Sequence, residues 1–345
     1  MKFSLSKNDL NKVNKLLETK EMNMAFADML MEFFNYDLTK FRINSNDEYL
    51  SLFMDAMELN KTIQENTALV GKYIGKNLKK LDNQIFDSNP YFKSVRPVLK
   101  KMGDYSLCLD CFYPNQGFAY DDFDVDENDY YSEISKIGYF DHKFKFLALS
   151  YKGNIWMNIS PNEINTMQPS IDKTFGDVLV YGLGLGYYPF MISLKENVSS
   201  ITIVEKDANI IRIFKENLFK FFPHKEKIKI VQADAFEFAN TNNDKFDYVF
   251  VDLWHNPEDG LPMYLRFKDF EKEDTEYFYW LEKSIKAMYR RCALTVIEEQ
   301  LNGASEDNYK TAETEIDGII NKIYFDNKDK DFKTYEDVIS FINKN

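Results

Sequence analysis

Apolar positions along the chain fall into three successive patterns. From about residue 6 to 101, apolar side chains recur every three or four residues, which predicts helices. From about 105 to 159, apolar and polar residues alternate in short runs broken by turn residues. This second pattern predicts a small antiparallel sheet with a hairpin near Gly153. From Gly176 onward, short apolar runs alternate with amphipathic stretches, which predicts strands that are each followed by a helix.

The third pattern can be divided into individual elements. We predict strands at 178–181, 200–204, 228–232, 248–252 and 293–297, and helices at 188–195, 207–221, 234–239, 275–290 and 307–323. Strands that alternate with helices form a mostly parallel sheet with helices on both faces, so the predicted fold class is α/β. Beyond residue 297 the pattern is largely helical, and we therefore expect the sheet to be shortened at that edge.

The patterns also predict how the chain is organised. Residues 1–103 form a helical amino-terminal region, residues 104–170 form a small β region with a lead-in helix, and residues 171–345 form a Rossmann-like domain. A single hydrophobic core rarely serves more than about 250 to 300 residues, so more than one unit is expected in a chain of 345.

Composition and charge narrow the class of protein. The net charge of −13 disfavours a nucleic-acid partner, because phosphate recognition requires a basic surface. The first ten residues have polar and charged side chains where a signal peptide would have its apolar run, and no apolar run in the chain approaches about 18 residues, so we expect a cytoplasmic protein without a membrane span. A small molecule is the favoured substrate. Whether the chain forms a homodimer stays open.

Two motifs in the middle of the chain resemble metal sites only superficially. Cys108 and Cys111 form a single C-x-x-C, but the strand pattern around them places them on opposite faces, so we expect reduced, packed thiols and no metal. The acidic run 121–129 has the spacing of a calcium loop without its required Gly and Glu. We expect a solvated loop there.

The glycines after the first predicted strand form a candidate ligand site. In an open parallel sheet, ligands bind beyond the carboxyl ends of the strands. Gly182, Gly184 and Gly186 lie there and allow a ligand to approach the backbone. Their spacing does not fit a dinucleotide fingerprint, because Tyr187 and Pro189 stand where a further glycine would be required. Plain packing is the alternative explanation of the glycines.

Carboxylates follow the next three predicted strands. Glu205 is placed to accept hydrogen bonds from ribose hydroxyls, or to share a helix cap with Asp207. Asp234 follows the third strand and is a candidate for ligand binding, with the N-cap of the next helix as a second role. Asp252 ends the run F-D-x-V-x-x-D and is the strongest catalytic candidate, since it can orient or deprotonate a nucleophile. His255 is a second catalytic candidate, with a surface role as the alternative.

Over about residues 171–300, these motifs together resemble the class I S-adenosylmethionine-dependent methyltransferases. The resemblance implies a Rossmann-like fold, S-adenosylmethionine as cofactor and S-adenosylhomocysteine as product. It also implies that the glycines pass the methionine part of the cofactor and that Glu205 binds the ribose. Asp234 and Ala235 would meet the adenine, and Asp252 would face the substrate beside the sulfonium.

Within this superfamily the chain resembles the spermidine synthase-like branch, because a small β region and a lead-in at 153–167 precede the glycines. That branch has a Tyr-His pair where this chain has Thr166-Met167, and a second loop acid where it has His255. We therefore predict a methyltransferase acting on an unidentified small molecule. Aminopropyl transfer and a non-catalytic cofactor-binding scaffold are the alternatives. Trp254 and Tyr264 are candidate pocket walls, with packing as their alternative.

Overall fold

The computed structural model describes residues 1–344. Its α-helices are α1 (Lys7–Phe33), α2 (Asn46–Ala56), α3 (Gln64–Tyr73), α4 (Asn83–Asp87), α5 (Pro90–Ser94), α6 (Pro161–Lys173), α7 (Tyr187–Ser193), α8 (Ala208–Asn217), α9 (Ala235–Thr241), α10 (Pro257–Lys268), α11 (Glu282–Leu301), α12 (Glu315–Asn327) and α13 (Tyr335–Ile342). Within the described residues, no helix combines the length and apolarity that crossing a membrane requires.

The strands are mostly short before residue 176 and longer after it. They are β1 (Lys2–Phe3), β2 (Lys79–Lys80), β3 (Lys100–Met102), β4 (Tyr105–Phe112), β5 (Phe118–Ala119), β6 (Asp124–Asp126), β7 (Ser132–Ile134), β8 (Ile137–Tyr139), β9 (Phe144–Tyr151), β10 (Asn154–Asn158), β11 (Gly176–Tyr181), β12 (Val198–Glu205), β13 (Ile228–Gln232), β14 (Tyr248–Val251), β15 (Glu276–Tyr279) and β16 (Asp331–Phe332).

The amino-terminal helices have a core of their own. Ser6 caps α1, because its hydroxyl accepts the backbone N–H of Asp9 at 3.1 Å. Helices α1, α2 and α3 enclose an aromatic cluster in which the ring of Phe33 meets Tyr49 and Phe53 edge-on. The long helix α1 therefore belongs both to this cluster and, through its first turns, to the larger core of the molecule.

An antiparallel sheet in the order β10–β9–β4–β3 precedes the parallel one. The chain turns between β9 and β10 at Lys152 and Gly153, which have φ of 50° and 90°, as tight hairpins require. The hairpin therefore lies at Gly153, as predicted. Trp156 is the extra residue of a bulge between Ile155 and Met157. Bulges re-aim the side chains they carry, and this one directs Trp156 out of the regular strand pattern.

The second half of the chain builds a five-stranded parallel sheet in the order β13–β12–β11–β14–β15. The order reverses between β11 and β14, where open sheets bind ligands. Tyr188 of α7 stacks on Phe250 at a centroid distance of 3.8 Å. Tyr181 points to the other face and meets Phe267 of α10 at 5.0 Å. Helices therefore cover both faces, and the predicted α/β class and parallel sheet are confirmed.

The predicted strand at 293–297 is wrong. These residues lie inside α11, where Val296 and Ile297 are completely buried. An apolar run buried on all sides cannot be assigned from periodicity, and its β-branched residues favoured a strand. The observed fifth strand, β15, falls within the predicted helix at 275–290. Within residues 1–344 no strand joins the sheet beyond β15, in agreement with the expected shortening.

Helix α11 ties the amino-terminal parts to the parallel sheet. Lys20 of α1 pairs with Glu298 of α11 at 2.6 Å. Glu133 of β7 is buried and forms an ion pair with Arg291 of α11. Burying a charge is costly unless an opposite charge compensates it, so each partner of the second pair depends on the other.

Removal of one partner of this buried pair should destabilise the protein. Glu133→Ala leaves the guanidinium of Arg291 partly buried without its carboxylate, and we expect a loss of about 3 kcal/mol in the free energy of unfolding, measured by urea denaturation. Asp307→Ala is the matched control, because its pair with Lys310 is exposed. The control should change stability little. Equal losses in the two variants would contradict the assigned role of Glu133.

Candidate active site

The three glycines between β11 and α7 differ in what surrounds them. Gly182 has φ of 96°, and a Cβ on it would lie 2.0 Å from the backbone oxygen of Asp252. Gly186 has φ of 77°, and a Cβ there would lie 2.4 Å from the ring of Phe214. Gly184 has φ of 52° and no described atom within 4 Å of such a Cβ. Packing therefore explains Gly182 and Gly186, while the backbone at Gly184 borders open space.

Glu205 at the end of β12 supports this turn from the side. Its Oε2 accepts the backbone N–H of Leu183 at 3.2 Å, and its Oε1 accepts that of Asp207 at 2.8 Å. Asp207 in turn caps α8 by accepting the N–H of Asn209 at 2.7 Å. Each oxygen of Glu205 keeps a second lone pair, so holding the turn does not prevent the carboxylate from binding ligand hydroxyls.

Asp234 and Ala235 lie at the end of β13, beside Glu205. Asp234 caps α9, because its Oδ1 accepts the backbone N–H groups of Phe236 and Glu237 at 2.9 and 3.1 Å. Ala235 is buried at the first position of that helix. The capping role considered for Asp234 is therefore present, and its second carboxylate oxygen is left for another partner.

Asp252 follows β14 and interacts electrostatically with two other carboxyl groups. Its backbone N–H donates to Tyr181 at 2.9 Å, which extends the pairing of β14 with β11. Burial, together with the negative charge of Glu205, raises the pKa of Asp252 to about 7. Glu163 of α6 also has a pKa raised well above its ordinary value, by burial and by the charge of Asp252. The site therefore combines three acids, Glu163, Asp252 and Glu205.

Sequence reasoning missed Glu163. The segment Ser160 to Glu163 reads S-x-x-E, which signals the start of a helix. That pattern assigns the glutamate a capping role. Its position in the lead-in helix of the resembling family was the available signal, and only the folded chain exposes this position to the charge of Asp252.

His255 joins the antiparallel sheet to the loop after β14. Its Nε2 accepts the indole N–H of Trp156 at 3.1 Å, and its Nδ1 lies 3.0 Å from the carboxylate of Asp259. Since Nε2 accepts, Nδ1 carries the proton that it donates to Asp259. A second link runs from the hydroxyl of Tyr105 to Asp207 at 3.1 Å. These contacts give His255 a linking role, and its catalytic role stays a prediction.

Thr166 and Met167, which stand where the resembling family has its Tyr-His pair, are engaged in packing. The Thr166 hydroxyl donates to the carbonyl of Asn162 at 2.7 Å and accepts the indole N–H of Trp280 at 2.9 Å. Met167 is buried. Both side chains are thus engaged in packing where the resembling family has its Tyr-His pair.

The two aromatic residues proposed as pocket walls lie in the core. Trp254 is buried, and its indole N–H donates to the carbonyl of Trp280 at 3.0 Å. Tyr264 is also buried, and its hydroxyl donates to Glu282 at 3.1 Å. These contacts favour the packing alternative for both residues.

The two metal-like motifs are built into sheets. Cys108 and Cys111 are free thiols on β4. The acidic run is not the solvated loop that we expected, because β6 pairs with β7 and Asp122 is buried against Ser284. The neighbouring Asp121 forms an ion pair with Lys136, whose Nζ lies 3.0 Å from the aspartate Oδ2. Side-chain pairing across elements, which sequence spacing does not reveal, orders this segment.

Comparison with protein families points to the same part of the chain. Residues 163–269 match the spermine/spermidine synthase domain. The matched segment begins at Glu163 and contains the glycine turn, Glu205, Asp234 and Asp252. It is thus similar to a class of transferase domains with a class I methyltransferase-like fold. None of the curated proteins matches the chain.

Solved structures of three proteins align with part of the chain. A spermidine synthase from Thermotoga maritima shares 16% identity over 43% of this chain and 59% of its own, with a TM-score of 0.30. A spermidine synthase bound to the transition-state analogue AdoDATO shares 17% over 43% and 58%, with a TM-score of 0.31. A protein assigned as an O-methyltransferase from Klebsiella pneumoniae shares 13% over 48% and 66%, with a TM-score of 0.28. The chain spans less than two thirds of each.

The raised pKa of Asp252 predicts how stability depends on pH. A carboxyl with a raised pKa binds its proton more tightly in the native state, so its contribution to stability falls as pH rises from about 4 to 7. Asp252→Asn removes this loss, and we expect its thermal midpoint near pH 8 to exceed that of the native sequence by a few degrees. Near pH 4 the two midpoints should agree.

Asp259 serves as a control, because folding shifts its pKa in the direction opposite to that of Asp252. Burial alone would raise its pKa, but the backbone N–H groups of Asn256 and His255 and the ring of His255 lower it overall. Its ionised form is thus stabilised by folding, and this contribution is present above about pH 4 and lost below it. Asp259→Asn should lower the midpoint near pH 8. A lower midpoint for Asp252→Asn at that pH would contradict the assigned environment of Asp252.

Proposed function

We propose that this chain is a transferase that binds an adenosyl sulfonium donor and transfers an aminopropyl group from it to an amine. The match of residues 163–269 to the spermine/spermidine synthase domain supports this alternative better than the methyl transfer that the sequence favoured. The observation that carries the proposal is the cluster of Glu163, Asp252 and Glu205 beside the glycine turn.

Charge distinguishes the two donors. S-adenosylmethionine has a carboxylate, whereas its decarboxylated form has a sulfonium, an ammonium and no carboxylate. Within residues 1–344, no Lys or Arg forms an ion pair with Glu163, Asp252 or Glu205. A site of this kind attracts a dication and repels a carboxylate, so it favours the decarboxylated donor.

The residues around the turn take distinct roles in this proposal. Glu205 binds the ribose hydroxyls, and the free oxygen of Asp234 accepts the adenine amine, with Ala235 beside the ring. The backbone at Gly184 passes close to the sulfonium end of the donor. Asp252 faces the reacting carbon and the acceptor amine.

The chemistry makes limited demands on these residues. The lone pair of the acceptor nitrogen forms a C–N bond while the C–S electrons return to sulfur, which leaves neutral methylthioadenosine. Alignment of nitrogen, carbon and sulfur supplies most of the rate. A carboxylate such as Asp252 then serves to receive a proton from the acceptor and to stabilise positive charge.

Methyl transfer is the second candidate, and one observation favours it. Thr166 and Met167 replace the Tyr-His pair and are engaged in packing, so the aminopropyl machinery of the resembling family is incomplete here. Methyl transfer from S-adenosylmethionine would release S-adenosylhomocysteine. The products therefore discriminate the two reactions.

Donor binding and product analysis test the proposal together. By calorimetry, we expect decarboxylated S-adenosylmethionine to bind at least about 10-fold more tightly than S-adenosylmethionine, and Glu205→Ala to weaken both. Incubation with a panel of di- and polyamines should yield methylthioadenosine. Preferred binding of the carboxylated donor with release of S-adenosylhomocysteine would establish methyl transfer instead. Binding without any product would indicate a scaffold.

The glycines allow ligand binding to be separated from folding. Gly184→Ala adds a methyl group where no described atom lies within 4 Å, so we expect a small loss of stability from its positive φ and a loss of donor affinity of at least about 10-fold. Gly182→Ala should instead destabilise the fold, because the added methyl group overlaps the backbone of Asp252. Unchanged donor affinity in Gly184→Ala would place the ligand elsewhere.

A further inference from the structure

The glycine turn between β11 and α7 has little conformational constraint of its own. Gly182, Gly184 and Gly186 all have positive φ, and glycine adopts positive and negative φ about equally readily. A turn of this composition samples many conformations unless other groups hold it, and a ligand that requires one conformation must then order the turn when it binds. Contacts from outside the turn therefore decide whether a ligand meets a preformed backbone.

The parallel sheet holds the first half of the turn. The N–H of Gly182 donates to the carbonyl of Val204 at 2.9 Å, and the N–H of Leu183 donates to Glu205 at 3.2 Å. The N–H of Gly186 donates back to the carbonyl of Leu183 at 3.0 Å, which closes a β-turn. These bonds fix the chain as far as Leu183.

The second half of the turn is held by a residue from the amino-terminal helices. The hydroxyl of Tyr91 in α5 donates to the carbonyl of Leu185 at 2.7 Å, and Tyr91 is only 1% exposed. The peptide group that joins Leu185 to Gly186 is thus bonded on both sides, through its carbonyl to Tyr91 and through its N–H to Leu183. Gly184 lies between this peptide group and the N–H that Glu205 accepts.

Local sequence fixes the hydroxyl of Tyr91 in place. Asn89 caps α5, because its Oδ1 accepts the N–H of Tyr91 at 2.9 Å, and Pro90 takes the first helical position. The amide nitrogen of Asn89 donates to the hydroxyl of Tyr187 in α7 at 2.9 Å. The ring of Tyr91 meets the rings of Tyr187 and Phe190 edge-on, at centroid distances of 5.4 and 5.3 Å. Helix α5 is therefore fastened to the helix that follows the turn.

We infer that Tyr91 is a positioning residue that acts through the glycine turn: its hydroxyl fixes the Leu185 peptide group and holds the backbone at Gly184 in the conformation that borders open space. The consequence for donor binding rests on the proposed function. Tyr91 lies outside residues 163–269, so the amino-terminal part of the chain completes the site without contacting the donor itself.

Hydrogen exchange of single amides tests the role of Tyr91 without a ligand. Leu–Gly occurs in the sequence only at 183–184 and 185–186, so protein labelled with ¹³C at leucine carbonyl carbons and ¹⁵N at glycine shows both amides selectively by NMR. Gly184→Ala assigns the two signals. Labelled tyrosine carbonyl carbons select Gly182 as the internal reference, because Tyr–Gly occurs only at 181–182.

Tyr91→Phe removes the hydroxyl and keeps the ring. Loss of one hydrogen bond should accelerate exchange of the Gly186 amide about fivefold or more relative to that of Gly182, whose bond lies within the sheet. An unchanged ratio in the folded variant would overturn the inference. If Tyr91→Phe does not fold, Asn89→Ala loosens α5 by removing its cap, and the same ratio in that variant decides.

Tyr188→Phe is the matched control. It also removes a buried hydroxyl of this region, but that hydroxyl bonds to Ser170 and Thr174 at 2.8 and 2.6 Å and does not touch the turn. We expect a lower thermal stability with an unchanged ratio of Gly186 to Gly182 exchange. A changed ratio in this control would show that any loss of a buried hydroxyl loosens the turn, and would refute a specific role of Tyr91.

Donor binding then connects the turn to the site. By calorimetry, Tyr91→Phe should bind decarboxylated S-adenosylmethionine about fivefold or more weakly than the native sequence, and Tyr188→Phe should bind it equally well. Equal affinity in Tyr91→Phe despite faster Gly186 exchange would reduce Tyr91 to a packing residue. Faster exchange in Tyr91→Phe, in a protein whose native sequence binds no adenosyl donor, would refute the proposed function and leave the positioning of the turn intact.

Discussion

The ends of β11 and β14 approach each other so closely that only glycine fits at the start of the turn. A Cβ on Gly182 would overlap the backbone oxygen of Asp252, while the N–H of Asp252 is bonded to Tyr181. This contact fixes the turn against the end of β14. It directs the N–H of Leu183 to Glu205 and places Gly186 as the N-cap residue of α7. The positions of Glu205 and Asp252 at the turn thus follow from backbone packing between the ends of two neighbouring parallel strands.

Elements outside residues 163–269 complete the edge of the parallel sheet at which the glycine turn lies. Tyr105 reaches Asp207 beyond β12, and Trp156 reaches His255 beyond β14, so the antiparallel sheet has a hydrogen bond on either side of the glycine turn. The bulge in β10 makes the second link feasible, since it turns Trp156 out of the strand pattern. The antiparallel sheet is therefore joined to the edge of the parallel sheet at which the glycine turn lies. Separately, the ion pairs of α11 hold α1 and β7 to the second half of the chain.

Acids of this chain serve two opposite purposes, and their partners decide which. Asp259, Asp317 and Asp337 lie in helix first turns, accept backbone N–H groups and have lowered pKa values, so they stabilise the fold in their charged form. Glu163 and Asp252 lack such partners and have raised pKa values. Charging the second pair costs stability, and a bound cation would offset that cost. A strained electrostatic environment of this kind is typical of functional sites.

The sequence by itself determined the parallel sheet, its first four strands, the hairpin at Gly153 and the acids at the strand ends. These features follow from local periodicity and turn chemistry, which neighbouring residues encode. Only the tertiary structure decided that 293–297 is helical, that the acidic run is ordered, and that the charge of Asp252 acts on Glu163. The physical reason is that burial and charge coupling depend on residues far apart in the chain, as Glu163 and Asp252 are, and no local pattern records which of them meet.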